Sequence, residues 1–212
     1  MSRSVVTRPI PHTVTMLDGD FTVITVPGRA EADVSSGNEG SAVEGVTVDV
    51  FREAMRKLPG GVVMVTTRIG GRPWGLTISS CCSMTANPPQ ILISLQERTA
   101  SCQQILRDRR FGIGILACEH RSLAELGAKP GVAKFIDEYC GDHGRARLGS
   151  PMIADALCHL DCQIAHTHSV GDHHLIIGVV EDVVTVGRPG SRSPLVYFDR
   201  EFWALSTPVA AP

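Results

Sequence analysis

Thr77, Ser79, Cys81, Ser83 and Thr85 recur at every second position of the stretch PWGLTISSCCSMTANPP (73–89), with Leu76, Ile78, Ser80, Cys82 and Met84 between them. In an extended strand alternate side chains share a face, so one face of this segment carries small hydroxyls and thiols and the other is mostly apolar. A face that meets only water normally mixes in Lys, Glu and Arg, and this one has none. Small neutral hydrogen-bonding groups suit a surface that lies against something flat and polar, such as a cofactor. A plain polar strand face is the alternative reading of the same composition.

Three further groupings invite chemistry. Thr99-Ala100-Ser101 opens a helix-like stretch, and a helix N-terminus offers unpaired N–H groups and partial positive charge to a phosphate, with Arg98 adding a charge. A simple cap explains the same residues without a ligand. Gly171-Asp172-His173 is a turn that carries an imidazole; Asp172 shapes the turn rather than reacting, and His174 faces the other way along its strand. Cys158, His159, Cys162, His166, His168 and His173 crowd one stretch. On an extended chain Cys158 and Cys162 are about 13 Å apart, too far for two thiolates that each bind zinc at about 2.3 Å. His166 and His168 alone make a weak site, so no metal is expected. No local signature supports a Cys–His nucleophile.

These residues need strands and short helices to hold them. Asp49 can cap a helix in which Phe51, Met55 and Leu58 recur on one face, ended by Pro59-Gly60-Gly61. VVMVTTRI (62–69), a Gly70-Gly71 turn and WGLTISSCCSMT (74–85) predict a hairpin. Asn87-Pro88-Pro89 turns the chain into the strand QILISLQ (90–96), and Thr99 or Ser101 caps a helix through Arg107. FGIGILAC (111–118) is another strand, and residues 120–140 hold one or two short helices, HRSLAELG and AKFIDEY. Two long strands, LCHLDCQIAHTHSV (157–170) and HHLIIGVVEDVVTV (173–186), meet at Gly171-Asp172, and PLVYFDREFWALS (194–206) is a final strand. Many strands without regular strand–helix alternation predict a mostly β fold, a closed or nearly closed antiparallel barrel with a few peripheral helices.

The chain has 212 residues, 43% of them hydrophobic, and a formal charge of −2. That is one globular domain, possibly with an appendage, and no basic footprint for DNA or RNA. No apolar run approaches the ~20 residues that cross a bilayer. MSRSVVTRPIPH lacks the apolar core of a secretion signal, and the seven cysteines are scattered without a Cys-x-x-Cys pair. A cytoplasmic protein with no membrane association is expected. Residues 1–46 read as an extension, with a possible hairpin around Asp18-Gly19 and then a Gly/Ser/acid-rich linker over 27–46. The domain proper is read as 47–207 and the tail as 208–212.

Residues 73–89 resemble the signature of the flavin reductase-like family, which has the FMN-binding split-barrel fold and includes the small reductase components of two-component flavin-dependent monooxygenases. FREAMRKLPGGVVMVTT (51–67), Lys134-Phe135, GDHHLIIGVV (171–180) and PLVYF (194–198) continue the similarity in the family's order, over roughly residues 48–205. The resemblance implies that flavin lies along Trp74-Gly75-Leu76-Thr77 and Ser79-Ser80, with Gly75 allowing close backbone approach. Ser94-Leu95-Gln96 and Ala100-Ser101 match the contacts to the ribityl chain and phosphate. Leu126-Gly127 stands where the family often has an Arg-Phe-like pair, leaving backbone contacts there, and Cys81 stands where Phe is common. His173 matches the histidine directed at the nicotinamide and is the catalytic candidate in a positional sense. Hydride transfer to flavin N5 requires C4 of the nicotinamide held close over it rather than a strong base. Because backbone and both strand faces then contribute, a bend or bulge is expected near Ser79-Ser80. Tyr197 and Phe198 are read either as walls of the pocket or, as the safer assignment, as core packing.

The activity so implied is that of an NAD(P)H:flavin oxidoreductase. It would use NADH or NADPH to reduce FMN or FAD, supply reduced flavin to a separate monooxygenase, and act as a homodimer. Two alternatives share the fold: an enzyme that retains FMN and reduces another substrate, and a non-enzymatic flavin- or haem-binding protein.

Overall fold

A computed structural model describes residues 14–17, 20–23, 46–141, 147–185 and 192–205. The chain divides into two units, Met1–Gly45 and Val46–Pro212. In the first, β1 (Val14–Leu17) and β2 (Asp20–Val23) pair antiparallel with Leu17 opposite Asp20. The linker expected over 27–46, apart from Val46, and the tail at 208–212 lie outside the described residues.

The second unit is built on seven antiparallel strands: β4 (Val63–Ile69), β5 (Arg72–Ile78), β6 (Cys81–Ala86), β7 (Pro89–Gln96), β8 (Arg110–Ile115), β9 (Cys158–Val170) and β10 (His173–Thr185). Their order is β5-β4-β8-β9-β10-β7-β6. The two edge strands, β5 and β6, are consecutive in sequence and joined only by Ser79-Ser80. Three Cα steps reach at most about 11 Å, so the two edges meet and the sheet closes into a barrel that is split at this point. β3 (Gly60–Gly61), β11 (Leu195–Phe198) and β12 (Glu201–Ala204) form a separate small sheet in the order β12-β11-β3.

β4 explains how the layers assemble. Five consecutive residues, Val63 to Thr67, are buried, which requires cover on both faces. Val63 and Val65 point into the barrel with Ile93, Phe111, Ile113 and Ile176. Met64 points outward into a second core with Leu116, Leu123, Ile136, Ile153 and Leu195. Helix α2 (Ala100–Asp108) sends Cys102 and Ile105 into the barrel core, and α3 (Arg121–Ala128) packs Leu123 and Ala124 into the outer one.

Four local expectations change, and the expected bend at Ser79-Ser80 holds. Thr47 rather than Asp49 caps α1 (Val48–Met55), its hydroxyl accepting from the Val50 amide at 3.3 Å, because Asp49 already lies in the first turn. Leu58 falls beyond that helix, and Phe51, Met55 and Leu58 are all exposed. The run 74–85 is two strands, broken at Ser79-Ser80 as the flavin resemblance required. AKFIDEY is not a helix beyond one 3-10 turn at Asp137–Tyr139, since Phe135 is drawn into an extended bridge with Trp74. PLVYFDREFWALS is a hairpin, turning at Asp199 and Arg200 with φ of 48° and 69°, the left-handed pair of a type I′ turn.

Candidate functional site

The break at Ser79-Ser80 places the end of β5 beside the end of β7. Ser80 continues the ladder to β7: its carbonyl accepts from the Ser94 amide at 3.1 Å, and its hydroxyl donates to the Ser94 carbonyl at 2.9 Å. A cleft of about 410 Å³ opens here, lined by Leu76–Ser80, Ser94–Gln96, Thr99, Ala128, Pro130, Lys134 and His173. It runs into a second hollow of about 450 Å³ formed by Trp74, Leu76, Gln96, Arg98–Ser101, Pro130–Val132 and Lys134. Leu76, Gln96, Thr99, Pro130 and Lys134 belong to both, so the two form one continuous groove.

Eleven residues that the resemblance assigns to flavin or nicotinamide therefore come together: Trp74, Leu76, Thr77, Ser79, Ser80, Ser94, Leu95, Gln96, Ala100, Ser101 and His173. Leu95 contributes backbone only, because its side chain is in the barrel core. Gly75, Leu126 and Gly127 do not line the groove. Gly75 is glycine for an internal reason: a Cβ there would stand 2.5 Å from Met64 Sδ and 3.1 Å from Ile136 Cδ1. Gly127 is likewise a packing glycine, where α3 crosses β5 against Thr77 and Met64. Tyr197 is not core; it packs on Phe202 and walls an adjoining hollow of about 520 Å³ with Arg200, Lys129 and Glu125.

Hydrogen bonding decides what each group can offer. The Thr77 hydroxyl donates to the Ala124 carbonyl at 2.8 Å, and that of Ser80 to Ser94, so both face the groove as acceptors. Trp74 is edge-on to Phe135 at 5.0 Å, and its indole N–H donates to the Ser101 hydroxyl at 3.1 Å. Thr99 caps α2, its hydroxyl accepting from the Cys102 amide. The amides of Ala100 and Ser101 are left without an intrahelical acceptor and point out of the helix end.

Lys134, the first residue of the Lys-Phe pair, lines both parts of the groove and is the main site residue that the sequence pattern does not assign a contact. Residues 134–136 run along the free edge of β5: the Gly75 amide donates to the Lys134 carbonyl, and the Ile136 amide to that of Pro73. Arg72 pins this strip, its guanidinium 4.0 Å over the Phe135 ring and 2.9 Å from Asp137. The Lys134 ammonium donates to the Gly127 carbonyl at 2.5 Å, at the negative end of α3. Burial holds its pKa below that of an ordinary lysine. Among the described residues neither Lys134 nor Arg98 pairs with a carboxylate.

At the other end of the groove, His173 Nδ1 is 2.7 Å from Asp172 Oδ1, and the Gln96 amide donates to Asp172 Oδ2 at 3.1 Å. These bonds, from Gln96 first and His173 second, hold the Asp172 carboxyl below its ordinary pKa. Asp172 thus does more than shape a turn. The Cys81 thiol is pushed up to about 11, chiefly by burial, and is no nucleophile near neutral pH. Among the described residues no three His, Cys, Asp or Glu side chains cluster to hold a metal. No helix among them is long and apolar enough to cross a membrane.

Residues 55–206 match the model of the flavin reductase like domain. The chain belongs to the flavin reductase-like family. It is 34% identical over 167 residues to FMN reductase (NADH) RutF 2 of Methylorubrum extorquens (strain PA1), covering 78% of this chain and 94% of that protein. It is 32% identical over 152 residues to the reductase component of 4-nitrophenol 4-monooxygenase/4-nitrocatechol 2-monooxygenase of Rhodococcus opacus, covering 72% and 78%. The NADH:FAD oxidoreductase SgcE6 of Streptomyces globisporus C-1027, solved with NAD and FAD fragments, superposes with a TM-score of 0.67 at 26% identity, over 74% of this chain and 92% of that one. This family's split barrel accounts for the β5–β6 break and for the groove that opens beside it.

The fit of a flavin nucleotide rests on the donor set. Acceptors at Thr77 and Ser80, a Ser79 hydroxyl with no partner among the described residues, and two free helix amides beside Arg98 and Lys134 suit a flat polar ring with an anionic tail.

Proposed function

We propose that the protein is an NADH-dependent flavin reductase that hands reduced FMN or FAD to a separate monooxygenase. The observation that carries this reading is the single groove that joins Leu76–Ser80 and His173 at one end to the α2 N-terminus, Arg98 and Lys134 at the other. The flavin, when bound there, supplies the hydride acceptor at N5. Ser79, Ser80 and Thr77 would hold the ring, Ala100, Ser101 and Lys134 the phosphate, and His173 the nicotinamide. The relatives compared above support this reading, since they are named FMN reductase (NADH) and a monooxygenase reductase component.

A homodimer is part of the proposal. The β6 residues Cys82–Ala86 are all exposed and uncharged, and Leu175, Ile177 and Val179 of β10 share the adjoining outer face, half-buried. That face runs up to Ser94 and His173, so a second copy would cover apolar surface next to the groove. Seven free cysteines support a reducing compartment, the cytoplasm.

The test is a matrix of NADH and NADPH against FMN, FAD and riboflavin, followed at the nicotinamide absorbance band. NADH oxidation that depends on added flavin is expected; none at saturating flavin sinks the proposal. Yellow colour retained through dialysis would point instead to a flavoprotein acting on another substrate. Sedimentation velocity at micromolar protein tests the dimer.

A further inference from the structure

We propose that Asp172 is a positioning residue that locks His173 in the Nδ1–H tautomer, so that Nε2 is presented to the nicotinamide as a hydrogen-bond acceptor. The inference rests on the reading that His173 faces the nicotinamide. An ionised carboxylate only accepts hydrogen bonds, so the nitrogen 2.7 Å from Asp172 Oδ1 must carry the proton. In the neutral ring the lone pair then lies on Nε2.

Asp172 is itself fixed. Its second oxygen accepts from the Gln96 side chain at 3.1 Å, and its backbone carbonyl accepts from the Glu97 amide at 2.9 Å. Register sets this up, since His173 stands directly opposite Gln96 in the β7–β10 ladder. Gly171, at φ 58°, makes the turn that brings the carboxylate back beside both. Gln96 must turn its NH₂ toward the carboxylate, which leaves its carbonyl oxygen as a second acceptor at the edge of the groove.

Acceptors are what a carboxamide requires. The nicotinamide –CONH₂ has two N–H donors, and the corresponding nicotinic acid has none and carries a negative charge. The Gln96–Asp172–His173 chain therefore discriminates the amide from the acid at the reacting ring. Left to itself an imidazole prefers the Nε2–H form, which would meet the carboxamide N–H with another donor.

Two measurements test this. Nitrogen-15 NMR of the imidazole should find His173 protonated at Nδ1 in the wild-type protein and shifted toward Nε2–H in Asp172→Ala. The ratio of kcat/KM for NADH over reduced nicotinic acid adenine dinucleotide should fall about tenfold in Asp172→Ala, mostly through KM for NADH, a change of about 1.4 kcal/mol. Asp172→Asn should restore part of the ratio, because its amide oxygen still holds the His173 Nδ1–H, while Gln96 must turn its amide over and so loses the second acceptor at the groove edge. An Nε2–H tautomer in the wild type overturns the proposal even if the alanine variant does not fold. So does an unchanged ratio in Asp172→Ala where His173→Ala abolishes it. If His173→Ala itself leaves the ratio untouched while Asp172→Ala moves the tautomer, the tautomer lock holds and the placement of His173 at the nicotinamide fails.

Discussion

The indole nitrogen of Trp74 donates to the hydroxyl of Ser101 across 3.1 Å, tying β5 to the first turn of α2 through two residues that both line the groove. Ser101 is 2% exposed. Its removal leaves a partly buried N–H without an acceptor, at a cost of about 1–2 kcal/mol. Ser101→Ala should lower the unfolding free energy by that amount in a denaturant titration. It should also weaken FMN binding about three- to tenfold, because the indole is no longer held against the helix end. Stability that falls with no change in FMN affinity would mean that Trp74 does not touch the ligand.

Lys134 makes a sharper prediction because flavins with and without phosphate separate its role from packing. Lys134→Met should raise the Kd for FMN about tenfold, the worth of one charge-assisted contact. Riboflavin, which has no phosphate, should be nearly unaffected. Burial lowers the Lys134 pKa, so the ammonium is lost at a lower pH than in a free lysine. FMN affinity should then fall as pH climbs through that lowered value, in a fluorescence-quenching titration below the ordinary lysine pKa of about 10.5. Lys134→Arg, which keeps its charge, should flatten the limb. Equal losses for FMN and riboflavin would place the lysine away from the phosphate.

The contrast between Lys134 and Ser79 says what a sequence carries. Ser79 and Ser80 stand out because hydroxyls crowd one short segment, and the break that turns them is local. Lys134 reaches the groove only because residues 134–136 lie along the edge of β5, a contact across some sixty residues that no periodicity encodes. The Gly171-Asp172 turn was legible from its residue types, whereas the Asp199-Arg200 turn was not. Both of its residues adopt positive φ without a glycine or asparagine to announce it. The resemblance places Gly75 and Gly127 at the ligand, but the need for glycine there arises from Met64, Ile136 and Thr77, which become neighbours only when the outer core forms.

Gly127 offers a test of that outer core. A methyl group there would overlap the Thr77 side chain and stand 2.8 Å from Met64 Cε. Overpacking of this kind costs about 1–3 kcal/mol. Gly127→Ala should lower Tm and push α3 off β5. That shift would loosen the Thr77–Ala124 bond and weaken flavin binding in parallel. A variant with normal Tm and normal FMN affinity would show that α3 moves freely on β5.

His159 is buried on the outer face of β9, and neither ring nitrogen has a partner among the described residues. Burial pushes its pKa down to about 4, against the opposing pull of Asp161 and Asp182. Above about pH 6.5 neither folded nor unfolded chain protonates this ring. Below it the unfolded chain takes up a proton that the folded chain refuses until about pH 4. Stability must therefore fall with acidification across that window, by about 3 kcal/mol in all. His159→Leu removes both the titration and two buried polar atoms without partners. At pH 7 it should be as stable as the wild type or more so. Its stability curve should rise above the wild-type curve progressively between pH 6.5 and 4, in denaturant titrations run at each pH. Carboxylates elsewhere contribute equally to both proteins and drop out of the difference. Parallel curves would mean that the folded protein takes up a proton on this imidazole as readily as the unfolded chain does, and that its burial carries no acid penalty.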